Sequence, residues 1–317
     1  MSLEPISDSQ AADDYQAAIA QGFMPIRDVA RITGVNAVTL RAWERRYGLI
    51  VPHRTPKGHR LYSAEHVTRI QAILTWLGRG VSVSQVKGLL RANQPAFAEA
   101  SSQWDSKRQH LQEAICNLNE RRLDDCFNSE LALYPPHTLC QQLLLPLLSE
   151  LDLRWRNQFG AQAEQVFFYS WLRSKLGARL YHNNRQYNGA PLLLINVSDL
   201  PMAPGMWLTA WLASSAGSPV DVFDWPLSPT ELALAVEHIQ PRAVLLYSSQ
   251  ALNSTHLQRL LGGYDCPCLL VGQVVQIHAE ELVAITAQNA ELSLAADPLA
   301  ALHSLTDLNL LRGCLQK

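Results

Sequence analysis

Nowhere in the 317 residues is there an uninterrupted apolar run of the roughly 18 residues that cross a bilayer. The opening stretch, MSLEPISDSQAADDY, has acids and no apolar core, so it does not read as a secretory signal. Catalytic signatures are missing as well. The 10 histidines are scattered, with no His-Glu-x-x-His pair, no Gly-x-Ser-x-Gly elbow and no Walker-type phosphate loop. Glu280 and Glu281 sit side by side on an expected helix and read as solvated surface. None of the 6 cysteines forms a Cys-x-x-Cys pair, and Cys266-Pro-Cys268 lacks neighbouring ligands. Reduced core thiols, no metal site and no enzymatic activity are the expectation, in a cytoplasmic protein without membrane contact.

Overall charge is also nearly absent, at a formal -2, but its distribution is uneven. Residues 1–21 hold four acids and no Lys or Arg, and read as a disordered tail. Residues 22–92 hold 12 Lys+Arg against three acids, and the remainder is acidic. A basic module joined to an acidic body points to a polyanionic partner for the basic part.

The positive charge peaks in VNAVTLRAWERRYGLIVPHRTPKGHRLY, residues 35–62, with six fixed cations and two histidines around the single acid Glu44. Ahead of it, Ile26, Val29, Ala30 and Ile32 suggest one face of a short helix. Gly34 then turns the chain and Asn36 caps a second helix. Two short helices about a Gly turn suit a helix-turn-helix, whose second helix enters the major groove. On it Val38 and Leu40 are expected in the core, with Thr39, Arg41, Arg45 and Arg46 outside. The following Pro- and Gly-punctuated run reads as a hairpin wing with its tip at residues 55–58. Arg54, Lys57, His59 and Arg60 would lie along DNA phosphates. A second helical pair covers the module with Ile70, Ile73, Leu74, Leu77, Val83, Val86 and Leu90.

The order Thr-Leu-Arg, Trp-Glu, Tyr-Gly-Leu, Pro, Arg, Gly-His-Arg-x-Tyr, then Arg-Ile and Arg-Gly-Val-Ser, across residues 24–91, resembles the MerR-family winged helix in its MlrA/CarH-like branch. That resemblance implies promoter DNA as partner and a homodimer or higher oligomer. It places Thr39, Arg41, Trp43, Arg46 and Tyr47 on the recognition helix and Arg54, Lys57, His59, Arg60 and Tyr62 on the wing. Trp43 and Tyr47 read equally well as core. Ala37 stands where the family pattern has Pro.

Residues 93–103 read as a linker, and 104–187 as a four-helix bundle whose long third helix bends at Pro146. From 188 to 317, β-rich runs alternate with helical ones in five β-α units. That pattern predicts a Rossmann-like parallel sheet with ligands at the carboxyl ends of its strands. The fold class is thus multidomain: winged helix-turn-helix, bundle and α/β sheet. Bundle plus sheet resembles the cobalamin-binding module of light-responsive repressors in the same branch. Trp155 matches their bundle Trp, but Gln165 and Val166 replace Glu-His. In SDLPMAPG, Gly205 survives while Leu200 and Met202 replace the Glu and the cobalt-binding His. Two readings follow: a corrin bound through Met202 or without a protein ligand, or a module that has lost cobalamin and answers to another small molecule or a signalling protein. A thioether is a soft, weak substitute for a buried imidazole, so no cofactor is expected. Trp155 reads either as pocket lining or as bundle core. The function expected is a nucleoid-associated transcriptional regulator, with a cobalamin-dependent, light-responsive repressor as the alternative.

Overall fold

The computed structural model describes residues 15–92, 98–156, 158, 160–198, 202–261, 264–289, 291–311 and 314–315. It divides into two compact units, Met1–Asn157 and Gln158–Lys317.

In the first unit, β1 (Met24–Pro25) leads into α1 (Ile26–Thr33), and Gly34 turns the chain toward α2 (Ala37–Ala42). The Asn36 side chain caps α2 by accepting from the Thr39 N–H at 2.8 Å. The helix widens into a π turn, Trp43–Tyr47. Strands β2 (His53–Arg54) and β3 (Arg60–Tyr62) form the wing, and β1 adds on the far side of β3 to give the order β1-β3-β2. Gly58 adopts φ +83° at the tip, a conformation that L side chains rarely adopt. Helices α3 (Ala64–Gly78) and α4 (Val83–Ala92) close the module. Val29, Leu40, Trp43, Ile70, Ile73, Leu77 and Val86 are fully buried beneath them. Each such side chain contributes roughly 1.5–3 kcal/mol relative to exposure.

Two boundary expectations are corrected. Residues 15–20, assigned to a disordered tail, are helical, and the Tyr15 ring sits edge-on to His59 at 6.1 Å. Residues 1–14 of that expected tail lie outside the described residues. The linker assigned to 93–103 is helix from residue 98, because α5 (Ala98–Cys116) starts there; 93–97 are not described. What holds α5 is Trp104, 3% exposed, whose indole N–H donates to the Gly80 carbonyl at 2.7 Å. Leu118 lies beyond the end of this helix with φ +50° and is 49% exposed.

Helix α6 (Glu120–Leu131) follows, and α7 (Pro136–Leu139) runs through a second π turn, Cys140–Leu144, into α8 (Leu145–Trp155). Pro146 has no N–H to give the carbonyl four residues back. That carbonyl, on Gln142, accepts from Arg108 Nη1 at 3.3 Å instead. The wider π turn makes room for the ring, and the helical path continues.

The fourth expected helix, α9 (Ala161–Asn184), belongs to the second unit. Its Asn184 side chain bonds both the carbonyl and the N–H of Val220, at 2.8 and 3.0 Å, and Asn183 donates to Ser214 and Ser215. Beyond a short strand β4 (Tyr187–Asn188) come β5 (Leu192–Asn196), α10 (Pro204–Ser215), β6 (Val220–Phe223) and α11 (Pro229–Ile239). Then follow β7 (Ala243–Tyr247), α12 (Ser254–Leu261), β8 (Cys268–Val271), α13 (Val274–Ile277), α14 (Ala279–Gln288), β9 (Leu292–Ala295) and α15 (Pro298–Asp307). The five long strands are parallel in the order β6-β5-β7-β8-β9. β10 (Cys314–Leu315) pairs with β4. Strands β5, β7 and β8 are buried throughout, as a sheet covered on both faces requires. The chain reverses winding direction between β5 and β7, so the fold's crevice lies at their carboxyl ends. No helix among the described residues is long and apolar enough to cross a membrane.

Candidate nucleic-acid interface

Which side chains of α2 can reach a ligand follows from its packing. Thr39, Leu40 and Trp43 are 0–1% exposed and form its inner face. Spacings of three and seven residues carry Val38, Arg41 and Arg45 to the opposite face, where all three are exposed. Arg46 is exposed as well and Tyr47 is half-buried. Two expectations exchange places here: Val38, assigned to the core, is 59% exposed, and Thr39, assigned to the DNA face, is sealed in with its hydroxyl unpartnered. Ile32, expected on the same helix face as Val29, is 51% exposed.

Trp43 is likewise not on the DNA face. It is 0% exposed, and its indole N–H donates to the Leu133 carbonyl just past α6 at 2.8 Å. Tyr62 is 1% exposed and its hydroxyl has no partner. Burial, and then the negative charge of Glu44, raise its pKa to about 12. Both rings are core: Trp43 takes the role its aromatic type left open, and Tyr62, expected as a wing contact, is corrected.

The wing is tied to the recognition helix by one carboxylate. Glu44 accepts from Arg54 at 2.6 Å and from Arg60 at 2.5 Å, with its side chain 13% exposed. Burial alone would raise its pKa, but hydrogen bonds and charge from Arg60 and Arg54 outweigh this and leave it below the ordinary value. At the tip, Thr55 N–H donates to the His59 carbonyl at 3.0 Å and His59 N–H to the Thr55 hydroxyl at 3.1 Å. This closed turn leaves Lys57, Gly58 and His59 exposed. Between wing and helix lies a cavity of about 200 Å³ bordered by Tyr15, Ile26, Arg41, Gly58, His59 and Arg60. The structure therefore brings Arg41, His59 and Arg60 to one place. Sequence reasoning missed Tyr15 and the clamp role of Glu44, although a lone acid among six cations was a visible signal.

The expected pocket residues differ in exposure and do not all belong to one unit. Val166 is 57% exposed, Gln165, Met202 and Gly205 are half-buried, and Leu200 lies outside the described residues. Trp155, half-buried on α8, belongs to the first unit. The crevice itself is taken by Tyr247, 6% exposed at the end of β7. A Cβ on Gly205 would lie 2.2 Å from its hydroxyl, and one on Gly272 would lie 2.3 Å from the Ser248 carbonyl and 3.3 Å from the Tyr247 ring. Burial and neighbouring Tyr169 raise the Tyr247 pKa to about 12. Nearby, the Leu252 N–H donates to His278 Nε2 at 3.0 Å, and Glu281 binds His278 Nδ1 at 3.1 Å and the Ser254 hydroxyl at 3.0 Å. Ser254 thus donates to the acid and not to the imidazole, which fastens a loop and activates no nucleophile. It also corrects the reading of Glu281 as simple solvated surface. Among the described residues no group of three or more His, Cys, Asp or Glu could hold a metal ion.

Residues 24–93 match the MerR HTH family of regulatory proteins, and 107–180 match the B12 binding domain. The HTH-type transcriptional regulator MlrA of Escherichia coli is 30% identical over 237 residues, 74% of this chain and 92% of that protein. Its counterpart in Salmonella typhimurium is 33% identical over 205 residues, 64% of this chain and 80% of that one. The HTH-type transcriptional repressor CarH of Myxococcus xanthus is 28% identical over 166 residues, 49% of this chain and 56% of that one. With an exposed cationic helix, a wing and this degree of kinship, the chain belongs to the MerR family of helix-turn-helix regulators, alongside MlrA.

Proposed function

We propose that this DNA-binding regulator grips promoter duplex through Arg41, Arg45 and Arg46 of the recognition helix together with Lys57 and His59 of the wing. Arg54 and Arg60 hold the wing in place through Glu44. The observation that carries this reading is the shared clamp: one carboxylate fixes helix and wing together, so both meet the duplex as a preset surface. Two copies would bind an inverted repeat, one recognition helix per half-site. Several phosphate contacts release counterions, so measured affinity should fall steeply as salt rises. A salt-insensitive affinity overturns the reading.

We further propose that the second unit has given up cobalt-ligated cobalamin. Met202 offers only a thioether where an imidazole is required, and the Tyr247 ring fills the space beside Gly205 and Gly272. These residues do not fit the group, and regulation falls to another small molecule or a protein partner. Such an effector must bind the DNA-competent and incompetent states unequally, because equal binding shifts nothing. Protein incubated with adenosylcobalamin or methylcobalamin in the dark should leave gel filtration colourless. Stoichiometric corrin retained on the protein would overturn this part and leave the DNA part intact.

A further inference from the structure

We propose that Val38 reads the methyl group of a thymine in the major groove, which makes it a specificity-determining residue; the inference rests on the DNA-binding reading above. Val38 lies in the first turn of α2, the end of a recognition helix that meets base edges. Its side chain is 59% exposed, while Thr39 and Leu40 beside it are sealed at 0% and 1%. Asn36, the residue before the helix, is committed to the Thr39 N–H. Val38 is therefore the first long side chain on the outer face, one turn ahead of exposed Arg41.

An apolar side chain at the end of a cationic face adds nothing to phosphate attraction, and this one is not needed by the core. Thymine is the base that presents an apolar group in the major groove. The charge around Val38 selects the occupant: Arg41, Arg45 and Arg46 favour a polyanion over an apolar protein surface. Arg41 would then fix the helix on a neighbouring guanine or phosphate while Val38 distinguishes thymine from cytosine.

The test begins with duplexes selected by the full chain from a random library, followed by replacement of each thymine in turn with uracil, which lacks only the methyl. At one thymine per half-site, uracil should weaken wild-type binding about fourfold, as expected for one buried methyl-sized group. Val38→Ala should bind the thymine duplex about fourfold more weakly and be indifferent to uracil at that position. Val38→Thr, which keeps the branched shape, should retain part of the discrimination. Uracil effects that are absent everywhere, or identical in wild type and Val38→Ala, overturn the inference while sequence-selective binding stands. A chain that selects no sequence overturns the DNA reading and this inference with it.

Discussion

The indole N–H of Trp43 donates to the Leu133 carbonyl at 2.8 Å, which joins the back of the recognition helix to the turn after α6. A second tryptophan, Trp104, bonds the Gly80 carbonyl, and the Tyr134 hydroxyl accepts from Val83 N–H at 3.3 Å. The DNA-reading module and the helices behind it therefore meet through directional contacts of buried side chains.

Trp43→Phe keeps most of the ring and removes the donor, leaving the Leu133 carbonyl without this bond. A loss of about 1–3 kcal/mol of stability is expected, as for an unsatisfied buried group, read by denaturant unfolding of the full chain. DNA affinity should fall by the same factor for selected and random duplex. If stability is unchanged and only the selected duplex is affected, Trp43 is a base contact after all.

Glu44 makes acid sensitivity predictable. Its folded pKa lies below the ordinary value of 4.5. A depressed carboxylate contributes stability that is fully present above the unfolded value and lost as pH falls through the folded one. Stability should therefore drop as pH falls below the ordinary value of 4.5, in part through this residue. Glu44→Gln should flatten that part of the profile. At neutral pH the substitution should cost on the order of 1 kcal/mol, since Arg54 is half exposed and screened by solvent. A pH profile identical to wild type would show that the clamp does not couple to folding.

Arg41→Ala and Arg60→Ala should differ in kind. Arg41 is exposed on the outer face, and its loss should cost about 1–3 kcal/mol on the selected duplex and relax preference at one position. Arg60 is mostly covered and bound to Glu44, so its loss should loosen the wing, weaken all duplexes alike and lower thermal stability. Binding-site selection with both variants separates the two. Equal loss of preference in both would refute the division.

Much of this architecture was readable in advance because it rests on local signals. The Asn36 cap, the Gly34 turn, the Pro- and Gly-marked wing and the five apolar strand runs each carry their own chemistry. Failures came where a single residue's direction depended on distant packing. Val38 and Thr39 differ by one position, about 100° around a helix, and only the neighbours of α2 decide which faces inward. Trp43 shares its residue type with DNA-contacting aromatics, and its partner is 90 residues away. The start of the helix from residue 98 reads as linker because NQPAFAEASSQ has no apolar stripe; its anchor, Trp104, comes just after that stretch. Tyr247 is legible only as the end of a strand, since its effect depends on Gly205 at the start of α10 and on Gly272 just past β8.

That last arrangement can be tested without any ligand. The Gly205 Cα approaches Tyr247 so closely that a methyl there would meet the hydroxyl at 2.2 Å and the ring carbon bearing it at 3.0 Å. Tyr247 is only 6% exposed, so the ring has little freedom to retreat. Gly205→Ala should therefore destabilise the chain by about 1–3 kcal/mol through overpacking, a small-to-large change in a filled site. Tyr247→Phe removes the oxygen that makes the closest contact. In that background Gly205→Ala should cost less, with an interaction energy of roughly 0.5–3 kcal/mol between the two positions. Unfolding free energies of the two single variants and the double variant give the coupling directly. Strict additivity would mean that the tyrosine does not fill the crevice beside Gly205, and would remove the steric argument against a bound corrin.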